Sequence, residues 1–308
     1  MTVNRLWQLV FGTGLVKTAN DFGNQGDQPS HPELLDWLAY EFSHGIASGD
    51  GARGAPWDVK AMMRLLVTSA SYRQRSVVSP DKLEKDPYNR LISRGPRFRL
   101  DAEFVRDQAL AVSGLLDRRI GGASVRPYQP AGLWEAIGFG NGFSSQSYTQ
   151  DHGGDLYRRG IYVYWKRSLP HPSMTTFDAP NREVCTVSRP RTSTPLQALV
   201  LMNDPQYVEA ARALAQRVLR EAKGDSTAQL KYAFRLVVGR APLPAEQALL
   251  EKVYRNQLAH FTADRAAAEK LIAVGEGARP PGLDAAILAT WTALGNLLLN
   301  LDEVITKG

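Results

Sequence analysis

Cysteine is almost absent from this chain. Cys185 is the only one, which excludes an intramolecular disulfide and leaves no cysteine set for a zinc site. No stretch approaches the roughly 18 uninterrupted apolar residues of a membrane-spanning helix, so no span is expected. There is no C-x-x-C-H for attaching haem, no phosphate-binding Gly-rich loop and no G-x-S-x-G nucleophile elbow. Internal repeats of roughly 20–50 residues and a series of alternating strands are also missing. Long blocks of like charge are missing too, which argues against a nucleic-acid-binding module. These absences leave no recognisable nucleophile, metal or cofactor constellation, and no metal site is expected.

What is present is an apolar chain long enough for a substantial core, 308 residues with 44% hydrophobic content and a net charge of +6. The basic excess lies in residues 90–126 and 158–191. Arg greatly outnumbers Lys there, and acidic residues are interspersed, so a solvated mixed surface competes with an anion-binding one. Helical periodicity dominates. Leu6, Trp7, Val10 and Phe11 form a stripe that stops at Gly12 and Gly14. Ser30 and Glu33 read as a capping box before Leu34, Leu35, Leu38 and Phe42; His31 lies in that cap and reads as a packing residue. Residues 45–56 read as a surface loop, and Met62 and Met63 in the helical run from Val59 as core filler. The segment 80–96 reads as an irregular crossing. A long helix then runs through Phe104, Val105, Gln108 and Leu115 to Gly121-Gly122.

The most informative stretch is FDAPNREVCTVSRPRTSTPLQALVLMNDPQYVEAARALAQR, residues 177–217. Thr194-Pro195 with Gln197 reads as a capping box opening a short apolar helix. Asn203-Asp204-Pro205 ends it and caps a second helix, whose buried face carries Tyr207, Val208, Ala211, Leu214, Ala215 and Val218. Further helices follow from Leu230 and from Pro244 with Glu246, where Leu243 occupies the position of a capping Ser or Thr. Ile287, Leu288, Trp291, Leu294 and Leu298 form the last one. The expected fold is all-α, a multi-helix single domain over 1–308 with a long irregular, aromatic-rich excursion over 127–175.

The string RTSTPLQALVLMNDP with VEAARALA resembles the C-terminal signature of the family called domain of unknown function 1553. VNRLWQLVFGTGLV, DFGNQGDQPSHPELLDWLA, LLVTSASYRQRS, RLDAEFVRDQALAVSGLLD and YRRGIYVYWKRS resemble it in the same order. The resemblance implies an exported protein of planctomycete-type bacteria, often carrying a cytochrome c-like domain and a second uncharacterised domain upstream. Neither is in this chain. Met1 opens on a helix pattern with no signal peptide, so by the same resemblance an internal or truncated start is expected. The longer Gly/Ala-rich 45–56 connection departs from the family.

Candidate functional residues fall in two neighbouring segments. Tyr157, Arg158, Arg159, Trp165, Lys166 and Arg167 combine rings with cations, suited either to stacking an anionic sugar or to internal cation–π packing. Asp178, Arg182, Glu183, Arg189 and Arg191 precede a helix N-terminus, an arrangement that reads either as an anion site or as a buried ionic network. Asp151 to Asp155 reads as a polar turn, and Cys185 as a small, partly buried, inert thiol, with His152 and His171 as the candidate upstream bases. Glu103 and Asp107, four apart on one helix face with Arg99 and Arg106 near, suit either acid–base chemistry or a salt-bridged helix start. Two functions follow from these readings. One is a helical binding or scaffolding module associated with anionic polysaccharide and with the family's upstream domains, needing no cofactor of its own. The alternative is a hydrolase of a sulfated polysaccharide using carboxylates from Glu103, Asp107, Asp178 or Glu183.

Overall fold

The computed structural model describes residues 1–49, 51–137, 147–279 and 281–308. The fold class is all-α: the described residues form fourteen α-helices and two two-residue strands. The chain divides into two compact units.

The first unit comprises Met1–Phe98 with Cys185–Arg189 and Thr306–Gly308. It contains α1 (Thr2–Phe11), α2 (Pro32–His44), α3 (Val59–Thr68) and α4 (Pro80–Lys85). Val3, Trp7, Val10, Leu38, Phe42, Met62 and Leu66 make its core, each at the helical spacing that puts it on the inward face. Asn4 is fully buried yet satisfied, because its side-chain amide pairs both the N–H and the C=O of Val16 at 2.9 and 3.0 Å. Strand β1 (Phe98–Arg99) pairs with β2 (Thr306–Lys307). Three expectations change here. Ser30 and Glu33 make no capping box: α2 starts after His31, which has no side-chain cap, and Ser30 Oγ bonds His31 Nδ1 instead. The crossing segment 80–96 begins with a helical turn, α4, capped by Ser79. Cys185 is exposed rather than partly buried.

The second unit, Arg99–Val184 with Pro190–Ile305, holds α5 (Ala102–Ser113), α6 (Leu133–Ile137), α7 (Pro172–Thr176), α8 (Pro195–Asn203), α9 (Pro205–Glu221), α10 (Ser226–Val238), α11 (Pro244–Ala263), α12 (Arg265–Ile272), α13 (Ala285–Leu299) and α14 (Asp302–Ile305). The core is built on α9 and α13. Ala210, Ala211 and Ala215 on one and Ala289 and Gly295 on the other let the two backbones approach closely, while Leu214, Trp291 and Leu294 fill the seam. Burying each large side chain contributes about 1.5–3 kcal/mol.

Caps in this unit follow sequence only in part. Asp204 accepts from Gln206 N at 3.0 Å as expected. Thr194 makes no side-chain cap, and Gln197 instead donates to the Thr176 carbonyl at 3.0 Å and to Thr192. α5 ends at Gly114, in a left-handed C-cap, about two turns earlier than the run to Gly121-Gly122 implied. Leu243 cannot cap α11, but Glu246 accepts from its N–H at 2.7 Å and is itself gripped by Arg240 at 2.7 Å.

Candidate ligand-binding face of the central excursion

The excursion keeps its shape through non-local pairing. Residues 117–125 run parallel to 158–163, with Val125 N–H donating to Tyr162 O at 2.8 Å and Tyr164 N–H to Val125 O at 2.7 Å. Of two 3₁₀ turns, Gly153–Tyr157 leads into the second of these strips and overlaps the expected polar turn, and Gly160–Tyr162 lies within the strip. Val163 is buried, whereas Tyr162 and Tyr164 beside it are half-buried. Phe139 and Phe143, which belong to the aromatic set of this segment, lie outside the described residues.

Two of the candidate residues turn inward. Tyr157 donates to Glu209 Oε1 at 3.1 Å. Arg158, 4% exposed, lies 3.8 Å from the Tyr162 ring centre and donates to the carbonyls of Ala123 and Gly121. Arg159 is exposed beside Asp107. Three more ring–cation pairs stand in this region, of which the Tyr164 and Trp165 rings are half-buried and reach the surface while the Trp134 ring is buried. Lys166 Nζ stands 4.1 Å from the Trp134 ring centre, Arg126 lies 4.7 Å from Tyr164, and Arg182 lies 4.6 Å from Trp165, whose Nε1–H donates to Asn181 O. Arg167, with 78% of its side chain exposed, sits 3.5 Å from Glu183.

The polar cluster before α8 therefore does not act as one group. Asp178 accepts from Thr192 N at 2.7 Å and from its hydroxyl, closing the turn. Arg182 and Glu183 are exposed next to Trp165 and Arg167, so neither belongs to a buried network. Arg191 is exposed in the same unit, whereas Arg189, half-buried, belongs to the first unit.

The carboxylates considered for hydrolysis are tied to local structure. Burial raises the Asp107 carboxyl above its usual range, opposed by the Gly160 N–H, which donates to Oδ1 at 2.6 Å, and by Arg106 at 3.7 Å. Arg106 itself is 1% exposed. It donates to Gln206 Oε1 at 2.7 Å, to Leu156 O at 2.8 Å and to Arg158 O, so it pins the excursion to α9. Arg99 reaches Asp302 at 3.3 Å and Ser193 at 2.6 Å. Among the described residues no group of three or more His, Cys, Asp or Glu could hold a metal ion, and no helix is long and apolar enough to cross a membrane.

Two buried arrangements escape sequence reasoning. His171 Nε2 lies 2.8 Å from Tyr128 O, an atom that only accepts, so Nε2 carries the proton and Nδ1 accepts from Ser173 Oγ at 3.1 Å. Serine and histidine are 4% and 5% exposed, which seals the pair inside the fold. His152 is held by Glu276 at 2.7 Å. The second arrangement centres on Glu209, which accepts from Tyr157, Arg212 and Gly277 N–H. Burial and the Glu209 charge push the Tyr128 and Tyr157 hydroxyls far above the usual tyrosine range. One signal in the sequence does point to it: Glu209 and Arg212 interrupt the apolar face of α9 three residues apart.

No characterised protein and no solved structure matches this chain. A family model described as protein of unknown function (DUF1553) matches residues 1–254, most of the chain and almost all the segments singled out above, and the chain belongs to that family.

Proposed function

We propose that the chain is a noncatalytic binding or scaffolding module of an exported multidomain protein, and that the ring–cation surface of its second unit engages an anionic polysaccharide. The observation that carries this is the pairing of the exposed Arg182 with the half-buried Trp165, beside the largely exposed Arg167. Flat rings offer a stacking surface for pyranose faces, and cations held against them keep their charge directed at solvent, where sulfate or carboxylate groups would meet them. The engagement of Asp107, Asp178 and Glu183 by backbone amides, Thr192 and Arg167 supports binding over hydrolysis.

The test is titration of a fluorescent sulfated polysaccharide at low and high salt, followed by polarisation. Attraction that is mainly electrostatic weakens as the Debye length falls below about 10 Å. Binding that is salt-sensitive and at least several-fold weaker in the Arg167→Ala/Arg182→Ala double variant, with the melting temperature unchanged, is the expected result. No binding at low salt would overturn the reading.

A further inference from the structure

An open cleft of about 620 Å³ lies between residues 119–125 and 151–158, on a different set of side chains from the ring–cation surface. Its volume falls in the range of small-molecule sites, roughly 300–1,000 Å³. We propose that this cleft binds a neutral polyhydroxyl ligand, a saccharide unit presented through a vicinal diol.

The charges that line the cleft balance. Arg119 donates through Nε to Asp117 Oδ2 and through Nη2 to Asp155 Oδ1, both at 2.7 Å, which leaves its Nη1 outside both pairs. Asp151 lines the same cleft, its Oδ2 taking the Arg126 N–H at 2.6 Å. A bare anion would meet Asp151 and Asp155, and a bare cation would meet Arg119 and Arg158. A hydroxyl pair suits the cleft better, because each hydroxyl both donates and accepts. One hydroxyl of a 1,2-diol donates to a carboxylate oxygen while its neighbour accepts from the adjoining guanidinium, and the fixed Arg119–Asp155 pair supplies both groups side by side.

Two further features favour a ring. Arg158, 4% exposed, spends its terminal nitrogens on backbone carbonyls and so forms a fixed wall of the cleft. Gly121 and Gly122 have φ of 84° and 89°, a conformation that L side chains rarely adopt, so this wall carries bare backbone beside the ligand space. Ile120, 86% exposed, stands on the lining and offers aliphatic contact to the C–H face of a sugar.

The site does not rest on the polymer reading, and its test separates the two. Saturation-transfer NMR on the purified chain would use methyl α-mannoside, methyl β-glucoside and methyl β-galactoside, which differ in diol geometry. Saturation of the ring protons of at least one glycoside is expected. It should be lost in Arg119→Ala and in Asp155→Asn, fall several-fold in Ile120→Ser, and persist in Arg167→Ala/Arg182→Ala. Ile120→Ser changes only an exposed side chain, so it decides the matter even if the Arg119 variant fails to fold. Absence of transfer from all three glycosides overturns the proposal, as does transfer that Ile120→Ser leaves unchanged. Displacement of a bound glycoside by sodium sulfate would make the cleft an anion site and would overturn it equally.

Discussion

Glu209 and Arg212 stand one turn apart on α9, with Arg212 Nη2 3.2 Å from Glu209 Oε1 and their side chains only 1% and 3% exposed. Such a pair is held in place more by the cost of breaking it than by its own net attraction. Removing one partner strands a charge in the interior at about 3–5 kcal/mol, whereas exchanging both for apolar groups of similar shape is often neutral. Arg212→Met alone is therefore expected to lower unfolding free energy by about that amount. Glu209→Gln with Arg212→Met should recover most of it, although Gly277 N–H and the Tyr157 hydroxyl still need the acceptor that Gln keeps. Urea unfolding of the single and double variants measures the difference. Equal losses in both would mean that packing around α9, and not the charge, sets the cost.

Arg106 is the second internal tie, and it acts on the excursion rather than on the helices. Its fork reaches Gln206, Leu156 and Arg158 at once, which a lysine ammonium at the same place cannot reproduce. Arg106→Lys is expected to be destabilised by roughly 2–4 kcal/mol, since buried carbonyls lose donors. It should also become sensitive to limited proteolysis within residues 150–170 before the helices are cut. Mass mapping of the first cleavage sites checks this, and a first cut in α9–α13 would contradict it.

The contrast between these ties and the helices shows what the sequence could carry. The face of α9 was legible because Tyr207, Val208, Ala211, Leu214 and Ala215 recur at a local period, and its Asp204 cap needs only a residue two positions away. Gln197 departs from the capping-box pattern because the partner that takes its amide, Thr176 O, is 21 residues distant, and no local rule weighs that against a capping box. The same holds for the candidate face. Whether Arg158 turns in and Arg167 turns out depends on how residues 157–164 pair with 117–125, a register set by tertiary packing. Cys185 came out exposed because the residues around it, from Asn181 to Thr186, have little apolar content of their own with which to bury it.

The buried His171 and the half-buried Asp204, both near Arg106, give stability opposite pH slopes. Burial, aided by the Arg106 charge and opposed by the bond to Tyr128 O, pushes His171 down from 6.5 to about 4. The unfolded chain takes its proton below 6.5 and the folded one only near 4. The His171 contribution is therefore complete above pH 6.5 and is lost as pH falls to 4, about 3 kcal/mol as an upper value. Asp204 is pushed up from 3.8 to about 6, mainly by burial. Its carboxylate weakens the fold as pH rises from 4 through 6. Asp204→Asn keeps an acceptor for Gln206 N–H, since Asn is an equally good N-cap. It is expected to stabilise the protein by about 1–3 kcal/mol at pH 8 and by nothing below pH 4. Denaturation midpoints at three pH values suffice, and a gain that does not change with pH would show that the carboxylate is not the cause.

The closest approach of α13 to α9 gives the last prediction. Gly295 is helical, and by propensity alone alanine there would stabilise by about 1 kcal/mol. An added Cβ, however, would lie 2.8 Å from the Ala211 carbonyl oxygen and 3.4 Å from its Cα. Both are backbone atoms of the facing helix and cannot rotate away, so α13 must shift as a body or the seam of Leu214, Trp291 and Leu294 must open. Overpacking of this kind costs about 1–3 kcal/mol, and moving the seam adds cavity terms, so the steric cost exceeds the propensity gain. Gly295→Ala is expected to lower the melting temperature by up to roughly 8 °C, since about 1–3 kcal/mol of steric cost less about 1 kcal/mol of propensity gain leaves up to about 2 kcal/mol at about 2–4 °C per kcal/mol. Asn296→Ala, at the next position, serves as the control, because it removes the Asn296 bond to Leu201 O at 3.0 Å without a backbone clash. Calorimetry on both variants decides the issue: a Gly295→Ala protein that melts at or above the parent temperature would mean that the helices do not meet at this glycine.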